Sequence, residues 1–203
     1  MVSGSHIILA GGFHEIVELC QAAGRQILGI LDPGLKGDFF GCPVLGTDED
    51  APELLKRYGP VPVLLTPDDP AIRARLAAYY SQIGFPLAGL VHPGAWVSPS
   101  AKIGEGVVMQ YGVHVSSSAK IADFVKINVG ANVMHDAVVG SYTTIAPNAV
   151  ILGRVVVGEA CYIGANATLL PGVIVGSRAV VGAGAMVTRP VPEGGVVKGN
   201  PAK

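Results

Sequence analysis

Histidine is the side chain best suited to exchange protons near neutral pH, and the sequence contains five of them. His135 stands apart from the others. It lies in the segment Asn132–Gly140, two positions after an aliphatic residue of a long periodic pattern, in a slot that normally faces outward. His6 is expected to be structural or terminal. His92 is a weaker candidate because it lies where two predicted domains meet, and His114 because it lies beside a predicted turn of the repeat. His135 is therefore the first candidate for proton transfer.

A second candidate site lies near the N-terminus. Residues His6–Ala10 read as a short buried strand and Phe13–Ala23 as a helix, with Gly11 and Gly12 between them. Such a turn presents backbone N–H groups and the positive end of a helix dipole, which suits a phosphate. Asp32 follows Gly12 by twenty positions, at the end of the next strand, where an acid suits a ribose hydroxyl. The full G-x-G-x-x-G pattern is missing, so plain α/β packing remains an alternative.

The element that would position His135 is a six-residue repeat. Seventeen aliphatic residues are spaced by six, from Val91 through Val133 to Val187, and a small or β-branched residue follows each by four. A period of six fits neither a helix nor simple strand alternation, and it indicates stacked repeats. Three hexapeptides per triangular coil give a parallel β-helix roughly 27 Å tall. Its two ends require caps.

The element that would position the glycine turn is a small parallel α/β domain over residues 1–85. After the first strand and helix, the patterns predict a strand over 26–31, helices over about 48–58 and 69–83, and strands over 61–65 and 86–91. Segments 32–37 and 41–47 are predicted to be turns. They would lie at the carboxyl ends of the strands, where open α/β sheets bind ligands.

Composition excludes several classes of function. The formal net charge is −1 and no cluster of Lys or Arg is present, which argues against a nucleic-acid partner. No apolar run is long enough to span a membrane and no signal peptide is apparent, so no membrane insertion and a cytoplasmic location are expected. The three cysteines lack metal-ligand spacing, and no metal is predicted.

The hexapeptides and the ending Gly199–Lys203 resemble the hexapeptide-repeat acyltransferases, which often end in G-x-P-A-K. Together with the Gly11-Gly12 turn, Asp32 and the segment Gly41–Gly46, the chain resembles the bacterial nucleotide-sugar N-acetyltransferases. The sialic acid O-acetyltransferases share this arrangement. The resemblance covers essentially the whole chain.

This resemblance implies a small Rossmann-like α/β domain over residues 1–85 that binds the nucleotide-sugar, followed by a left-handed parallel β-helix over residues 86–203. It also implies a homotrimer with active sites between subunits. The implied reaction is acetyl-CoA-dependent N-acetylation of a UDP- or GDP-linked amino sugar, most simply a 4-amino-4,6-dideoxyhexose, for surface glycan biosynthesis.

The resemblance also implies roles for particular residues. His135 is the general base, Asp136 orients its imidazole, and the backbone N–H of Gly153 faces the thioester oxygen. Since adjacent residues on an extended strand point to opposite faces, the His135–Asp136 pair needs a turn. The remaining implied contacts are Gly11, Gly12, Phe13, Asp32, Pro33, Lys36 and Asn128 with the nucleotide-sugar, and Thr144, Gly153, Gly164, Ala165 and Gly182 with acetyl-CoA.

Two departures and two alternatives remain. Thr144 stands where many relatives carry a second histidine, and Phe13 follows Gly12 where relatives often read Gly-Gly-His. The alternatives are an O-acetyltransferase acting on sialic acid or another sugar, and a non-catalytic trimeric scaffold that binds a nucleotide-sugar. A zinc enzyme is disfavoured, because the repeats contain only His114 and His135 where three imidazoles are needed.

Overall fold

The computed structural model describes residues 6–203, which form two compact units. The α/β unit contains the chain through Pro67 together with Ile72–Leu90, and the β-helix unit contains Asp68–Ala71 and Val91–Lys203. The short segment Asp68–Ala71 therefore belongs with the repeats, although it precedes them by some twenty residues in the sequence.

The α/β unit is built on a six-stranded sheet in the order β3-β4-β2-β1-β5-β6. Its strands are β1 (His6–Ala10), β2 (Gln26–Leu31), β3 (Asp38–Phe39), β4 (Cys42–Gly46), β5 (Val63–Leu65) and β6 (Leu87–Ala88). Its helices are α1 (His14–Ala22), a 3₁₀ turn (Asp48–Asp50), α2 (Ala51–Tyr58) and α3 (Pro70–Ile83), of which Pro70 and Ala71 are grouped with the β-helix unit. Ile7–Ala10 of β1 are almost fully buried, as a central parallel strand requires.

Most predicted elements of this unit are present, with one error in the turn-rich region. The segment over residues 41–47, predicted to be a turn, contains β4, which pairs in parallel with β2 and antiparallel with β3. The predicted helix from residue 48 begins as the 3₁₀ turn, where Thr47 N–H donates to the Asp50 carboxylate (2.8 Å). The sheet is thus parallel except at the β3 edge.

The β-helix unit consists of two-residue strands stacked in three parallel sheets. The first face contains Leu90–Val91 (of which Leu90 is grouped with the α/β unit), Val108–Met109, Lys126–Ile127, Thr144–Ile145, Tyr162–Ile163, Val180–Val181 and Val196–Val197. The second contains Trp96–Val97, His114–Val115, Asn132–Val133, Val150–Ile151, Thr168–Leu169 and Met186–Val187. The third contains Lys102–Ile103, Lys120–Ile121, Val138–Val139, Val156–Val157 and Ile174–Val175.

From Trp96–Val97 to Thr168–Leu169, each strand pairs with the strand eighteen residues later, so one coil contains three hexapeptides, as predicted. The last coil is two residues shorter, since Val180 pairs with Val196. The predicted aliphatic positions from Met109 to Val187 are buried and form one continuous core. Val91 and Ile103, in the first coil, are about two-fifths exposed instead. Coils with neighbours on both sides bury their aliphatic residues fully, whereas a terminal coil does not. The repeats and parallel sheets indicate a left-handed β-helix.

The corners of the coil determine which positions of the repeat have a positive φ and which require glycine. From Gly106 to Gly184, the third residue after each aliphatic position adopts a positive φ, including Ser118, Asp136 and Arg154. The glycines directly after aliphatic positions are required for a different reason, which is the close approach of successive coils. A Cβ on Gly140 would lie 2.6–2.7 Å from backbone atoms of Gly158 and Glu159, so close approach of successive coils requires glycine there.

Candidate functional site

The predicted base and its acidic neighbour lie together at a corner between the second and third faces. His135 and Asp136 form the turn that links Asn132–Val133 to Val138–Val139. Asp136 has a φ of 60°, and this left-handed conformation brings two consecutive side chains into contact. The His135 Nδ1 atom lies 2.9 Å from Asp136 Oδ2. The turn that this pair required is therefore present.

The contact fixes which imidazole nitrogen is available for chemistry. A carboxylate can only accept a hydrogen bond, so the proton of a neutral imidazole paired with it lies on Nδ1, and Nε2 has a free lone pair. Both side chains are about half exposed. An exposed ion pair contributes little to stability, so the contact serves chiefly to orient the ring.

Gly153 occupies the same corner one coil later, and the imidazole packs directly on it. A Cβ on Gly153 would lie 2.5 Å from His135 Nε2 and 2.6 Å from Cε1. The N–H of Arg154 donates to the carbonyl of His135 (3.0 Å), whereas the N–H of Gly153 has no acceptor among residues 6–203. Nε2 and an unpaired backbone donor thus share one corner. This is the arrangement that a base and an oxyanion donor need.

A buried polar cluster lies on the first face. Lys126 is almost fully buried, and its Nζ lies 2.9 Å from Asp68 Oδ1. The Asn128 Nδ2 group donates to the same carboxylate oxygen (3.1 Å), while the Asn128 Oδ1 atom is buried and has no hydrogen-bond partner among the described residues. A buried acceptor without a donor is unfavourable, so Asn128 presents an acceptor suited to a ligand.

Thr144, predicted to contact acetyl-CoA, belongs to this cluster. Its side chain is fully buried and its hydroxyl donates to the Asp68 carbonyl (2.6 Å). One coil later, burial raises the pKa of the Tyr162 phenol, and the Asp68 carboxylate raises it further. Nothing in the sequence alone indicated Asp68, because its contacts with Asn128 and Thr144 span 60 and 76 residues.

The remaining predicted acetyl-CoA residues follow Asn128 along one corner. Gly164 and Ala165 lie at the corner between the first and second faces, two coils after Asn128, and Gly182 lies one coil further. His135 and Gly153 lie at the next corner. The predicted corner residues of the β-helix unit therefore form two columns separated by the second face, while Thr144 lies on a strand of the first face.

In the α/β unit, the glycine turn forms hydrogen bonds within the protein. The Gly11 N–H donates to the Leu31 carbonyl (2.8 Å) and the Gly12 N–H to Asp32 Oδ2 (2.9 Å), while Asp32 Oδ1 accepts from Gly34 N–H (2.7 Å). Both N–H groups expected to face a phosphate are engaged within the protein. Asp32, expected to meet a ribose hydroxyl, links the two loops through its two oxygens, each of which can accept a further hydrogen bond.

Anion-binding capacity at this turn lies in the first turn of α1. Phe13 precedes α1 in an extended conformation, and no side chain caps the helix. The first backbone N–H groups of such a helix lack intrahelical partners. Pro33 and Lys36 are exposed on the neighbouring loop. Thr66, which the sequence did not indicate, is fully buried and donates to the carbonyls of Ala10 (2.7 Å) and Gly11 (3.0 Å).

The three cysteine thiols are not suited to act as nucleophiles. Cys20, Cys42 and Cys161 are buried and form no disulfide. Burial raises the pKa of the Cys20 thiol to about 12, and it also raises the pKa values of the Cys42 and Cys161 thiols. A thiol held in its neutral form is a poor nucleophile.

Two further features bear on the class of protein. Within residues 6–203, no group of three His, Cys, Asp or Glu side chains is arranged to hold a metal ion. None of the helices in the same residues has the length and apolarity needed to cross a bilayer.

Comparisons with known proteins agree on one family. The family model described as bacterial transferase hexapeptide (six repeats) matches residues 118–153 and 154–189. No curated protein matches the chain.

Several solved structures match the chain over almost its whole length. One is a histidine-to-alanine mutant of GDP-perosamine N-acetyl transferase from Caulobacter crescentus in complex with CoA and GDP-perosamine. It is 34% identical, with a TM-score of 0.92, and the match covers 100% of this chain and 97% of that one.

The second is the acetyltransferase domain of PglB from Neisseria gonorrhoeae FA1090 in complex with acetyl coenzyme A. It is 33% identical, with 98% of each chain covered and a TM-score of 0.91. The third is WeeI from Acinetobacter baumannii AYE, which is 28% identical, with 97% of this chain and 98% of that one covered and a TM-score of 0.89.

The predicted family is confirmed, because two of these matches exceed 30% identity over nearly complete chains. The protein belongs to the bacterial nucleotide-sugar N-acetyltransferases of the hexapeptide-repeat superfamily, which are CoA-dependent acyltransferases.

Proposed function

We propose that this protein transfers the acetyl group of acetyl-CoA to the amino group of a nucleotide-linked 4-amino sugar. The observation that carries the proposal is the His135–Asp136 contact of 2.9 Å, with the imidazole packed against Gly153. Acetyl-CoA supplies an activated thioester carbonyl as the substrate. The protein's task is to remove a proton from the attacking amine and to stabilise the oxygen that becomes negative.

Each part of the corner has a role in this reaction. His135 Nε2 accepts the proton of the amine as the new C–N bond forms. Asp136 holds Nδ1–H and stabilises the imidazolium that results. The Gly153 N–H, which has no acceptor within residues 6–203, donates to the thioester oxygen. As the C–S bond breaks, the departing sulfur receives the proton from His135.

Asn128 is proposed to contact the acceptor sugar. Its Oδ1 atom is buried without a partner among the described residues, and it can accept a hydrogen bond from an amine or hydroxyl of the sugar. The Asp68 carboxylate, which Lys126 and the Asn128 amide group contact, holds the amide in this orientation. Lys126 and Asp68 are thus positioning residues.

The α/β unit is proposed to be Rossmann-like and to hold the nucleotide. Its parallel strands follow the order β4-β2-β1-β5-β6, with β1 at the point where the order reverses. Open sheets bind ligands outside the carboxyl ends of strands at such a point. The uncapped first turn of α1, beside Gly11 and Gly12, supports a diphosphate there. The domain division proposed from the sequence, residues 1–85 and 86–203, assigns nucleotide binding to the first part and acetyl transfer to the second.

We also propose that the active form is a trimer with sites between subunits. Asn128 and His135 lie at different corners, separated by one side of the coil, which is six residues at about 3.3 Å each. One sugar ring cannot reach both within a single protomer. Two protomers that place one corner of each side by side would bring Asn128 of one and His135 of the other to the same sugar.

The reaction is tested by mixing the full chain with acetyl-CoA and a panel of UDP- and GDP-linked 4-amino-4,6-dideoxyhexoses, and following release of the CoA thiol. GDP-perosamine belongs in the panel, because the Caulobacter relative is complexed with it. We expect release with one member. His135→Ala should lower that rate by about 10²–10⁴-fold with an unchanged melting temperature. No release from the panel, with turnover of a sialic acid instead, would replace N-acetylation with O-acetylation.

The shared site is tested by complementation. Co-expression of His135→Ala and Asn128→Ala chains should restore about one site in three in each mixed trimer, because each intact site needs one corner from each parent. Each variant alone should remain impaired. Absence of any recovery in verified mixed trimers would place both residues of a working site in the same chain.

A further inference from the structure

The hairpin between β3 and β4 has an unusual residue at its tip. Phe39 pairs with Cys42, which leaves Phe40 and Gly41 as a two-residue loop. Phe40 has a φ of 56° and Gly41 a φ of 79°. Two positive φ values are those of a type I′ turn, which strongly favours Asn, Asp or Gly at both positions. A phenylalanine there is an outlier.

Neither folding nor core packing accounts for Phe40. Its side chain is 51% exposed, so it is not part of the core. Its ring contacts His14 edge-on, with centroids 4.9 Å apart at 90°. Within the described part of the α/β unit, Phe40 is the single residue other than glycine with a positive φ. A strained, exposed aromatic residue points to a functional role.

Phe40 belongs to a three-ring cluster, which we call the aromatic shelf, made of His14, Phe39 and Phe40. The centroids of His14 and Phe39 are 4.5 Å apart. His14 is the first residue of α1 and is exposed. A Cβ on Gly12 would lie 3.6 Å from the Phe39 ring, so the shelf borders the glycine turn. The shelf therefore lies beside the uncapped helix terminus that can bind a diphosphate.

We propose that Phe40, supported by His14, stacks on the base of the bound nucleotide. This inference rests on the proposed function, because it assumes that the α/β unit binds a nucleoside diphosphate. Every base presents a flat π-face, and stacking on an aromatic side chain tolerates different bases. The diphosphate would be bound by the N-terminus of α1, and the base would lie on the exposed face of Phe40.

The test is calorimetric binding of GDP, UDP and inorganic pyrophosphate to the full chain and to Phe40→Asn. Asparagine suits the turn better than phenylalanine, so the melting temperature should not fall. We expect the better-bound nucleotide to bind about tenfold or more weakly to the variant. Pyrophosphate, which has no base, should bind equally to both. Phe40→Tyr should retain the affinity of the natural chain.

Phe124→Asn provides a matched control. Phe124 also has a φ of 56°, but it lies in the β-helix unit, stacked on Tyr142 at 5.2 Å. This variant should bind GDP and UDP as the natural chain does. Nucleotide affinities within twofold for Phe40→Asn and the natural chain would overturn the stacking role and leave the proposed function intact. Failure of the natural chain to bind either nucleotide would overturn both.

Discussion

The substitution Gly153→Ala tests whether catalysis depends on the position of the His135 imidazole as well as on its presence. The new methyl group would lie 2.5 Å from His135 Nε2 and 2.6 Å from Cε1, against an ordinary contact of about 3.5 Å. The three nearest atoms all belong to the imidazole. Since this side chain is half exposed, the ring can move outward by about 1 Å without displacing the core.

A displacement of this size should be costly for catalysis and harmless for folding. A misplacement of about 1 Å can lower a rate by about 100-fold, which corresponds to about 2.7 kcal/mol of activation free energy. Gly153 is not among the residues with a positive φ, so alanine fits its backbone and should leave the melting temperature unchanged or slightly higher. We therefore expect kcat to fall by about 100-fold in a fully folded protein.

The assay is thiol release under saturating substrates, combined with a double-mutant cycle. In a His135→Ala background the clashing ring is gone, so adding Gly153→Ala should change the residual kcat by less than about twofold. Two results would refute the reasoning. One is a Gly153→Ala enzyme with nearly natural kcat. The other is an equal loss in the His135→Ala background, which would show that the methyl group blocks substrate rather than displacing the imidazole.

Three further predictions follow from particular contacts. Thr144→Val removes only a buried hydrogen bond, so it should leave the KM for acetyl-CoA within about twofold and lower the melting temperature by about 2–4 °C. A tenfold higher KM would show instead that Thr144 contacts acetyl-CoA. Asn128→Ala should lower kcat/KM for the amino sugar by about tenfold with little change in the KM for acetyl-CoA; equal changes for both substrates would contradict its role. Gly140→Ala should destabilise the protein by about 1–3 kcal/mol in thermal denaturation, because its methyl group meets the backbone of the next coil instead of a mobile ring; unchanged stability would contradict the close-approach argument.

The β-helix could be predicted from the sequence because its determinants are local and repeated. One aliphatic residue in six defines the interior, and one coil repeats the next at eighteen residues. The left-handed conformation of Asp136 could also have been predicted from the repeat. It is the third residue after Val133, and the same slot of the repeat is filled by Gly112, Gly130 and Asn148, residue types that readily adopt a positive φ. A positive φ predicted at this slot would have placed the Asp136 side chain next to that of His135.

The parts that the sequence did not reveal depend on distant contacts or on weak turn signals. The burial of Lys126 and Thr144 depends on Asp68, which reaches them from outside the repeats. The β3–β4 hairpin was missed because Phe40-Gly41 lacks the Asn-Gly or Asp-Gly signal of a two-residue loop. The hydrogen bonds from Gly12 and Gly34 to Asp32 were also not indicated by the sequence, because they depend on how the two loops fold.

The positions of the candidate residues follow from the geometry of a coil. Residues on the strands alternate between the interior and a flat outer face, so a strand cannot bring two adjacent side chains together. A corner can, because its left-handed residue reverses that alternation, as Asp136 does beside His135. Corners also leave some backbone N–H groups without acceptors, as at Gly153 among residues 6–203. Each corner, however, faces away from the other two, and this is why we propose that a second copy of the chain brings Asn128 and His135 to one substrate.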